Sequence, residues 1–392
     1  MIAFVDPFNR GLSHVPVNVG IIETALLASH KEEMVITADS AHLDGLLDLL
    51  DPSLRNRIGS TVPLDLPEPG VRFVRRLRGD FANLAKVFGF SPGGADLIIA
   101  DLAPATLHAL RLNTLRHPGA FRRIAAVLHG NASEIAGWRA RNPFVRITQL
   151  RSAMSLAPRQ TRFVVLEASI QRALLAVAPE FQGRIVTVPH PLPLREGVRE
   201  CTESTHDSES AGRPLKIGFL GAAQVKKGFG TFLSIARQLF RQWPGAVEFH
   251  AIGWLPPESE NLDLACLARP PGREKISRSD FVAALTGVDY VCMPYDPDLY
   301  RYSASGTLID AVACGKPVLA IRSPTLDDLQ QDFGDIGELG DTAEDLSAHI
   351  DRLIRARDLN RYRAQVATLS RIAMARSPQQ LIHEWQAVWA DK

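Results

Sequence analysis

The sequence predicts two α/β domains, each a parallel sheet covered by helices on both faces. Three observations carry this expectation. Compact apolar runs of four to six residues, such as Ile2–Val5 and Ala95–Ala100, alternate with helical patterns of roughly ten to fifteen residues, as in strands joined by crossover helices. That rhythm stops in a polar stretch, Glu196–Arg213, and restarts at Leu215. At 392 residues the chain also exceeds what one ordinary core holds.

In the first half the expected strands are Ile2–Val5, Met34–Ala38, Ala95–Ala100, Ile124–Leu128, Phe163–Leu166 and Arg184–Val188. A loop rich in Gly, Ser, His, Pro and Asn (Asp6–Asn18) precedes a helix near Val19–Ser29. Glu196–Arg213 has almost no large apolar residues, cannot fill a core, and reads as a linker or surface loop. In the second half, strands are expected at Lys216–Leu220, Val247–Ile252, Tyr290–Met293 and Val318–Ile321, with a helix over Phe232–Phe240. Leu381, Ile382, Trp385, Val388 and Trp389 share one face of a last helix. The expected domains are 1–195 and 214–375, with a linker at 196–213 and a terminal helix in 376–392 that returns toward the first domain.

A composition of 46% hydrophobic and 22% charged residues is that of a globular protein. The formal net charge of +1 makes no global case for nucleic acid. The cysteines (Cys201, Cys266, Cys292, Cys314) are scattered without metal-like spacing, so a reducing, cytoplasmic setting is the expectation. The opening Met-Ile-Ala-Phe-Val-Asp lacks a signal-peptide pattern, and no window approaches the uninterrupted apolar length of a spanning helix.

Residues 301–320 are the most informative stretch. A small polar cluster, Ser303–Thr307, leads into a helix through Leu308, Ile309, Ala311, Val312 and Ala313. Either Ser305 or Thr307 can cap it. Gly315 suits the position after the helix that needs a positive φ, and Pro317 forbids continuation. Such a helix entrance attracts anions. A second loop, Gly218–Gly230, follows the strand Lys216–Leu220 and carries Lys226 and Lys227. Its spacing fits neither the dinucleotide nor the nucleotide-triphosphatase fingerprint, and a glycine turn with a lysine also occurs in purely structural βα units. In an open α/β sheet both loops leave the carboxyl ends of strands, where such folds bind ligands.

The order strand-Gly-x5-Lys-Gly-Phe, a strand ending at Gly253, Asp289-Tyr-Val-Cys-Met-Pro-Tyr, and Gly-x3-Asp-Ala-x-Ala-x-Gly-Lys-Pro-Val resembles the donor domain of GT-B retaining glycosyltransferases that use nucleotide sugars. The resemblance covers most of residues 215–325 by motif and the whole chain by layout. It implies two Rossmann-like domains facing across a cleft and hexosyl transfer with retention. Lys227, with Lys226 as near rival, would bind the donor pyrophosphate beside Gly221. Asp310 would hydrogen-bond the ribose, and Ser303, Ser305, Gly306 and Thr307 would meet the diphosphate or sugar. The sequence departs from the family at Tyr302, where a glutamate usually stands eight positions before Asp310. It departs again at Ala222 and Ala223, where an arginine is usual. Arg301 is a candidate replacement charge.

In the first half, His129 follows a strand in Val-Leu-His-Gly-Asn. A histidine there can simply bond a loop; the resemblance implies a place beside the donor sugar and acceptor. Gly11, Ser13, His14 and Asn18 are acceptor-side candidates or ordinary capping residues of a long first loop. Glu134 is a candidate partner for the acceptor hydroxyl or just a first-turn acid. His190 belongs to the interdomain connection rather than a ligand site. Between His108 and Arg162 stand ten arginines and one acid, Glu134. They read first as a solvated surface, then as contact with an anionic bilayer, since Val71–Arg78 interleaves apolar and basic residues. Recognition of an acidic or phosphorylated acceptor is a third reading, and nucleic acid comes last, because no recognition motif accompanies the charge.

The expected activity is transfer of a sugar from a nucleotide diphosphate sugar to a hydroxyl acceptor, glycan or lipid-linked, in polysaccharide biosynthesis. His129, Lys227 and Asp310 are the catalytic candidates, and no metal or cofactor is expected. The alternatives are a non-catalytic nucleotide- or glycan-binding scaffold and a sugar-nucleotide epimerase of the same architecture.

Overall fold

A computed structural model describes residues 1–29, 32–193, 213–296, 298 and 300–390. Of the expected linker at 196–213, only Arg213 is among them. The chain divides into two compact units. The first comprises Met1–Pro193, Tyr302–Ala304 and Arg376–Lys392, and the second Leu194–Arg301 and Ser305–Ala375.

The first unit contains β1 (Ile2–Val5), α1 (Val15–Ala28), β2 (Met34–Ala38), α2 (Ser40–Leu49), β3 (Ile58–Pro63), α3 (Phe73–Gly89), β4 (Ala95–Ile99), α4 (Pro104–Arg116) and β5 (Phe121–Val127). It continues with the short helices α5 (Ser133–Ala136), α6 (Pro143–Arg146) and α7 (Leu150–Leu156), then β6 (Thr161–Val165), α8 (Ala168–Val177) and β7 (Ile185–Thr187). The strands pair in parallel in the order β3-β2-β1-β4-β5-β6-β7. Successive strand side chains point to opposite faces, and here both faces are buried. Ala3, Val5, Leu97 and Ile99 enter one apolar cluster, while Ile2, Phe4, Ile98 and Ala100 enter the other. Continuous apolar runs are therefore required, and alternating ones would place polar groups in one core.

The second unit contains β8 (Leu215–Ala222), α9 (Phe229–Gln242), β9 (Val247–Trp254), α10 (Arg278–Thr286), β10 (Tyr290–Met293), α11 (Gly306–Ala313), β11 (Val318–Ile321), α12 (Pro324–Phe333), β12 (Gly337–Gly340), α13 (Ala343–Arg355) and α14 (Leu359–Ala375). Its parallel sheet runs β12-β11-β10-β8-β9. Phe219 lies at the centre of an aromatic core, with ring centroids 5.1 Å from Phe229 and 5.4 Å from Phe232. The last helix, α15 (Ile382–Trp389), belongs to the first unit. Leu381, Trp385, Val388 and Trp389 are buried in the same cluster as Ile2, Phe4 and Ile22.

Three elements differ from expectation. Helix α1 starts at Val15 rather than near Val19, with His14 as N-cap and Pro16 in the first turn, where the missing N–H costs nothing. The edge strands β3 (IGSTVP) and β12 (GELG) were not expected. β3 is largely exposed and so has little apolar content. In β12, a Cβ on Gly337 would lie 2.0 Å from the Val318 carbonyl oxygen, so the tight pairing itself excludes the side chain that would have marked the strand.

Candidate functional site

Each sheet has one point where strand order reverses. In the first unit it lies between β1 and β4, and in the second between β8 and β10. Ligands of open α/β sheets bind at such points, outside the carboxyl ends of the strands.

In the second unit, β8 leads through Gly221 (φ 89°) into a single 3-10 turn, Val225–Lys227. Gly228 follows at φ 75° as the N-cap of α9. A Cβ on Gly228 would sit 2.0 Å from the carbonyl oxygen of Pro294, so the loops after β8 and β10 touch at the reversal point. We expect Gly228→Ala to destabilise this unit by about 2 kcal/mol or more, combining left-handed strain with that clash, measurable as a lower urea midpoint. Lys227 is half-buried beside exposed Lys226. Burial, with repulsion from Lys226, holds its ammonium below the ordinary lysine value.

The entrance of α11 lies after β10 in the same sheet. Ser305 is the N-cap, its Oγ accepting from the Leu308 N–H at 3.2 Å; Gly306 and Thr307 form the first turn. Gly315 takes φ 57° after the helix. Asp310 projects from the second turn to Arg278 on α10, with Oδ1 2.7 Å from Nη1. Burial raises the Asp310 carboxyl and Arg278 opposes the rise. Arg278 had no signal in the sequence, because only the fold brings α10 against α11. Arg301 is exposed. Tyr302, Ser303 and Ala304 group with the first unit, where Tyr302 and Ala304 pack against its apolar cluster.

In the first unit, Asp6 follows β1, Asp101 follows β4 and His129 follows β5. Asp6 is fully buried and accepts from the N–H groups of Phe8 (2.9 Å) and Asn9 (2.8 Å) and from the amides of Asn9 (3.0 Å) and Asn18 (2.7 Å). His42 Nε2 lies 3.3 Å from it, and His42 Nδ1 donates to the Gly11 carbonyl at 2.7 Å. Burial alone would raise the Asp6 carboxyl, but His42 and the Asn9 N–H take it down to about 2. Burial disfavours the charged imidazole, yet Asp6 raises His42 above its ordinary value. The pair is thus an internal ion pair that ties the loop Asp6–His14 to α2.

Asn18 is fully buried with its amide on Asp6, where it holds that carboxylate, as the structural alternative for this loop would have it. Gly11 (φ 54°) gives its N–H to Asp39 at 3.3 Å, Ser13 is partly exposed and Glu134 is exposed in α5. His14 is exposed in a left-handed conformation, φ 60°, with its ring edge-on to that of His129 at 5.0 Å. His129 is buried and its Nε2 has no hydrogen-bond partner among the described residues. Burial pushes this imidazole down to about 4, against a backbone hydrogen bond at Ala100. Asp101 accepts from the Leu102 N–H at 2.8 Å. Burial and the charge on Asp6 push its carboxyl up to about 7, with His14 pulling the other way.

This group can therefore exchange a proton near neutrality and offers an imidazole nitrogen with no internal partner. Sequence reasoning found His14 and His129 and missed Asp6, His42 and Asp101. The available signal was an acid placed directly at the carboxyl end of a buried strand, present at both Asp6 and Asp101.

No family model and no curated protein matches the sequence. Solved structures match over almost the full length. HepE of Anabaena, solved with UDP and glucose, is 14% identical at TM-score 0.64, covering 98% of this chain and 99% of its own. A glycosyltransferase from Rickettsia africae is 12% identical at TM-score 0.67, covering 100% and 99%. The chain has the GT-B fold. Sucrose-phosphate synthase of Thermosynechococcus elongatus, 14% identical at TM-score 0.65 over 99% of this chain and 98% of that one, agrees. At this identity the likeness of the GT-B fold concerns architecture, and the chemistry is argued from the residues.

Proposed function

We propose that this chain transfers a hexosyl group from a nucleotide diphosphate sugar to a hydroxyl acceptor in glycan or polysaccharide biosynthesis. The observation that carries the reading is a pair of unlike sites at the two reversal points of one chain. One has a half-buried lysine and a capped helix entrance, suited to a diphosphate. The other has a carboxyl near neutral pKa beside two imidazoles, suited to a sugar hydroxyl. HepE, solved with UDP and glucose, supports the same assignment by likeness of fold.

We assign donor binding to the second unit. Lys227 and the N–H groups of Gly306 and Thr307 would meet the charge that develops on the leaving diphosphate, which is electrostatic catalysis. Asp310, oriented by Arg278, would bind the ribose. Acceptor binding falls to the first unit, where Asp101 would accept a hydrogen bond from the attacking hydroxyl and His129 Nε2 would take a second sugar hydroxyl. This reading requires no metal or cofactor. Retention of anomeric configuration rests on the resemblance of residues 215–325, and the anomeric coupling of the product in NMR tests it. A product of opposite configuration would overturn retention and leave transfer standing. A cytoplasmic site of action fits the free cysteines among the described residues, Cys266, Cys292 and Cys314.

Calorimetry with UDP, GDP and ADP tests the donor site. At least one should bind, and Lys227→Ala should weaken it ten- to hundredfold, the effect of losing about 1.5–3 kcal/mol of charge-assisted bonding. No binding by any nucleotide would sink the reading. Incubation with donor alone separates it from an epimerase, which would equilibrate its substrate without an acceptor.

A further inference from the structure

The chain between α5 and α7 exposes large apolar side chains that fill no core. Phe144 is 84% and Trp138 73% exposed, and Val145 and Ile147 stand beside them at 43% and 44%. Solitary exposed apolar residues are ordinary, but four within ten residues form a patch. Arg139, Arg141 and Arg146 are interleaved with them and exposed. The described residues offer none of these three a salt bridge within 4.0 Å. Glu180, which feels Arg139, is already gripped by Arg151 at 2.7 and 2.9 Å.

The segment is nevertheless held in shape. Gln149 accepts from the Ala140 N–H at 3.0 Å and donates to the Trp138 carbonyl at 2.6 Å. Asn142 caps α6 through the Phe144 N–H at 2.8 Å. His108 of α4 donates to the Ile147 carbonyl at 2.7 Å, and its ring meets Phe73 of α3 at 5.8 Å. That contact places the basic start of α3, with exposed Val74, Arg75 and Arg78, beside the same patch. By contrast, Arg122 and Arg123 of the arginine-rich region bind Asp96, and Arg162 binds the Gly183 and Ala390 carbonyls. The fold thus sorts the arginines into structural ones and a free set around the exposed aromatics.

We propose that this face of the first unit docks on an anionic phospholipid bilayer, with Trp138 and Phe144 entering the headgroup boundary and the flanking arginines meeting lipid phosphates. Aromatic and aliphatic side chains that project outward among unpaired cations match an interface that is apolar below and anionic above. An acidic protein partner would match the charge alone. Among the described residues no helix is long and apolar enough to cross a membrane, so attachment here is peripheral. The docking surface does not depend on the sugar-transfer reading, because vesicle binding is measured without turnover; either can fail alone.

The test is co-sedimentation of the full chain with vesicles of phosphatidylcholine, alone or with roughly one-third phosphatidylglycerol. The chain should bind the anionic vesicles and not the zwitterionic ones. Brominated lipid should quench its tryptophan fluorescence. Trp138→Ser/Phe144→Ser should lower partitioning at least tenfold with an unchanged melting temperature, since both side chains are exposed. Arg139→Gln/Arg141→Gln/Arg146→Gln should lower it and reduce its salt dependence. Absence of binding to anionic vesicles, or of quenching in the unsubstituted chain, overturns the proposal. So does a Trp138→Ser/Phe144→Ser variant that binds as tightly as the parent, which would indicate attraction by charge alone.

Discussion

Arg376→Met should cost the first unit about 3–5 kcal/mol, the usual consequence of leaving one member of a buried ion pair uncompensated. Arg376 holds Glu167 through two parallel bonds of 2.7 and 2.8 Å, and the two residues are only 5% and 6% exposed. The Arg376 carbonyl also accepts from the Leu192 N–H at 2.8 Å. This is where the returning chain joins the first unit before α15 fills its core with Trp385 and Trp389. Urea denaturation followed by the fluorescence of those tryptophans should show the loss. Arg376→Met/Glu167→Leu should recover most of it, because removing both charges removes the stranded one. Equal stability of the single and double variants would mean that the pair is not the cause.

Asp101→Asn should abolish most acceptor turnover, by about 10²–10⁴-fold if the carboxylate manages the acceptor proton, while leaving nucleotide affinity intact. The pH dependence follows from the direction of the shift. A carboxyl raised to about 7 is protonated below that pH and cannot accept, so the parent's activity should climb as pH rises through 7 and the variant's residual activity should lack that limb. Stability should move the other way. A carboxyl whose folded pKa lies above its unfolded value contributes stability below the unfolded value, and that contribution is lost as pH rises to the folded one. Asp101→Asn should therefore melt higher than the parent at pH 8 and not at pH 4. Retained activity, or an unchanged pH profile, would remove Asp101 from the acceptor site. A gain in stability paired with a loss of activity marks a residue held at an energetic cost for function.

Much of the second unit was legible in the sequence because its signals are local. Ser305, Gly315 and Pro317 bound a helix within a few residues of one another, and each acts through its own backbone geometry. Lys227 before Gly228-Phe229 is legible for the same reason. Arg278 against Asp310 was not, since two helices far apart in sequence meet only after the sheet forms. In the first unit the sequence offers Gly11, Ser13, His14 and Asn18 as acceptor-side candidates or ordinary capping residues and does not separate the two. Folding instead buries Asn18 and Asp6 with His42, leaving His14 and His129 beside Asp101.

The sequence by itself determined the layered α/β class, most strands, and the two loops at the carboxyl ends of β8 and β10, because apolar period and turn chemistry act over short ranges. The tertiary structure decided which buried acid is paired and which is left near neutrality. It decided that α15 fills the first core, and that some arginines brace the sheet while others ring an exposed tryptophan. Those outcomes depend on desolvation and on charge–charge distance, which exist only once residues remote in the chain are brought together.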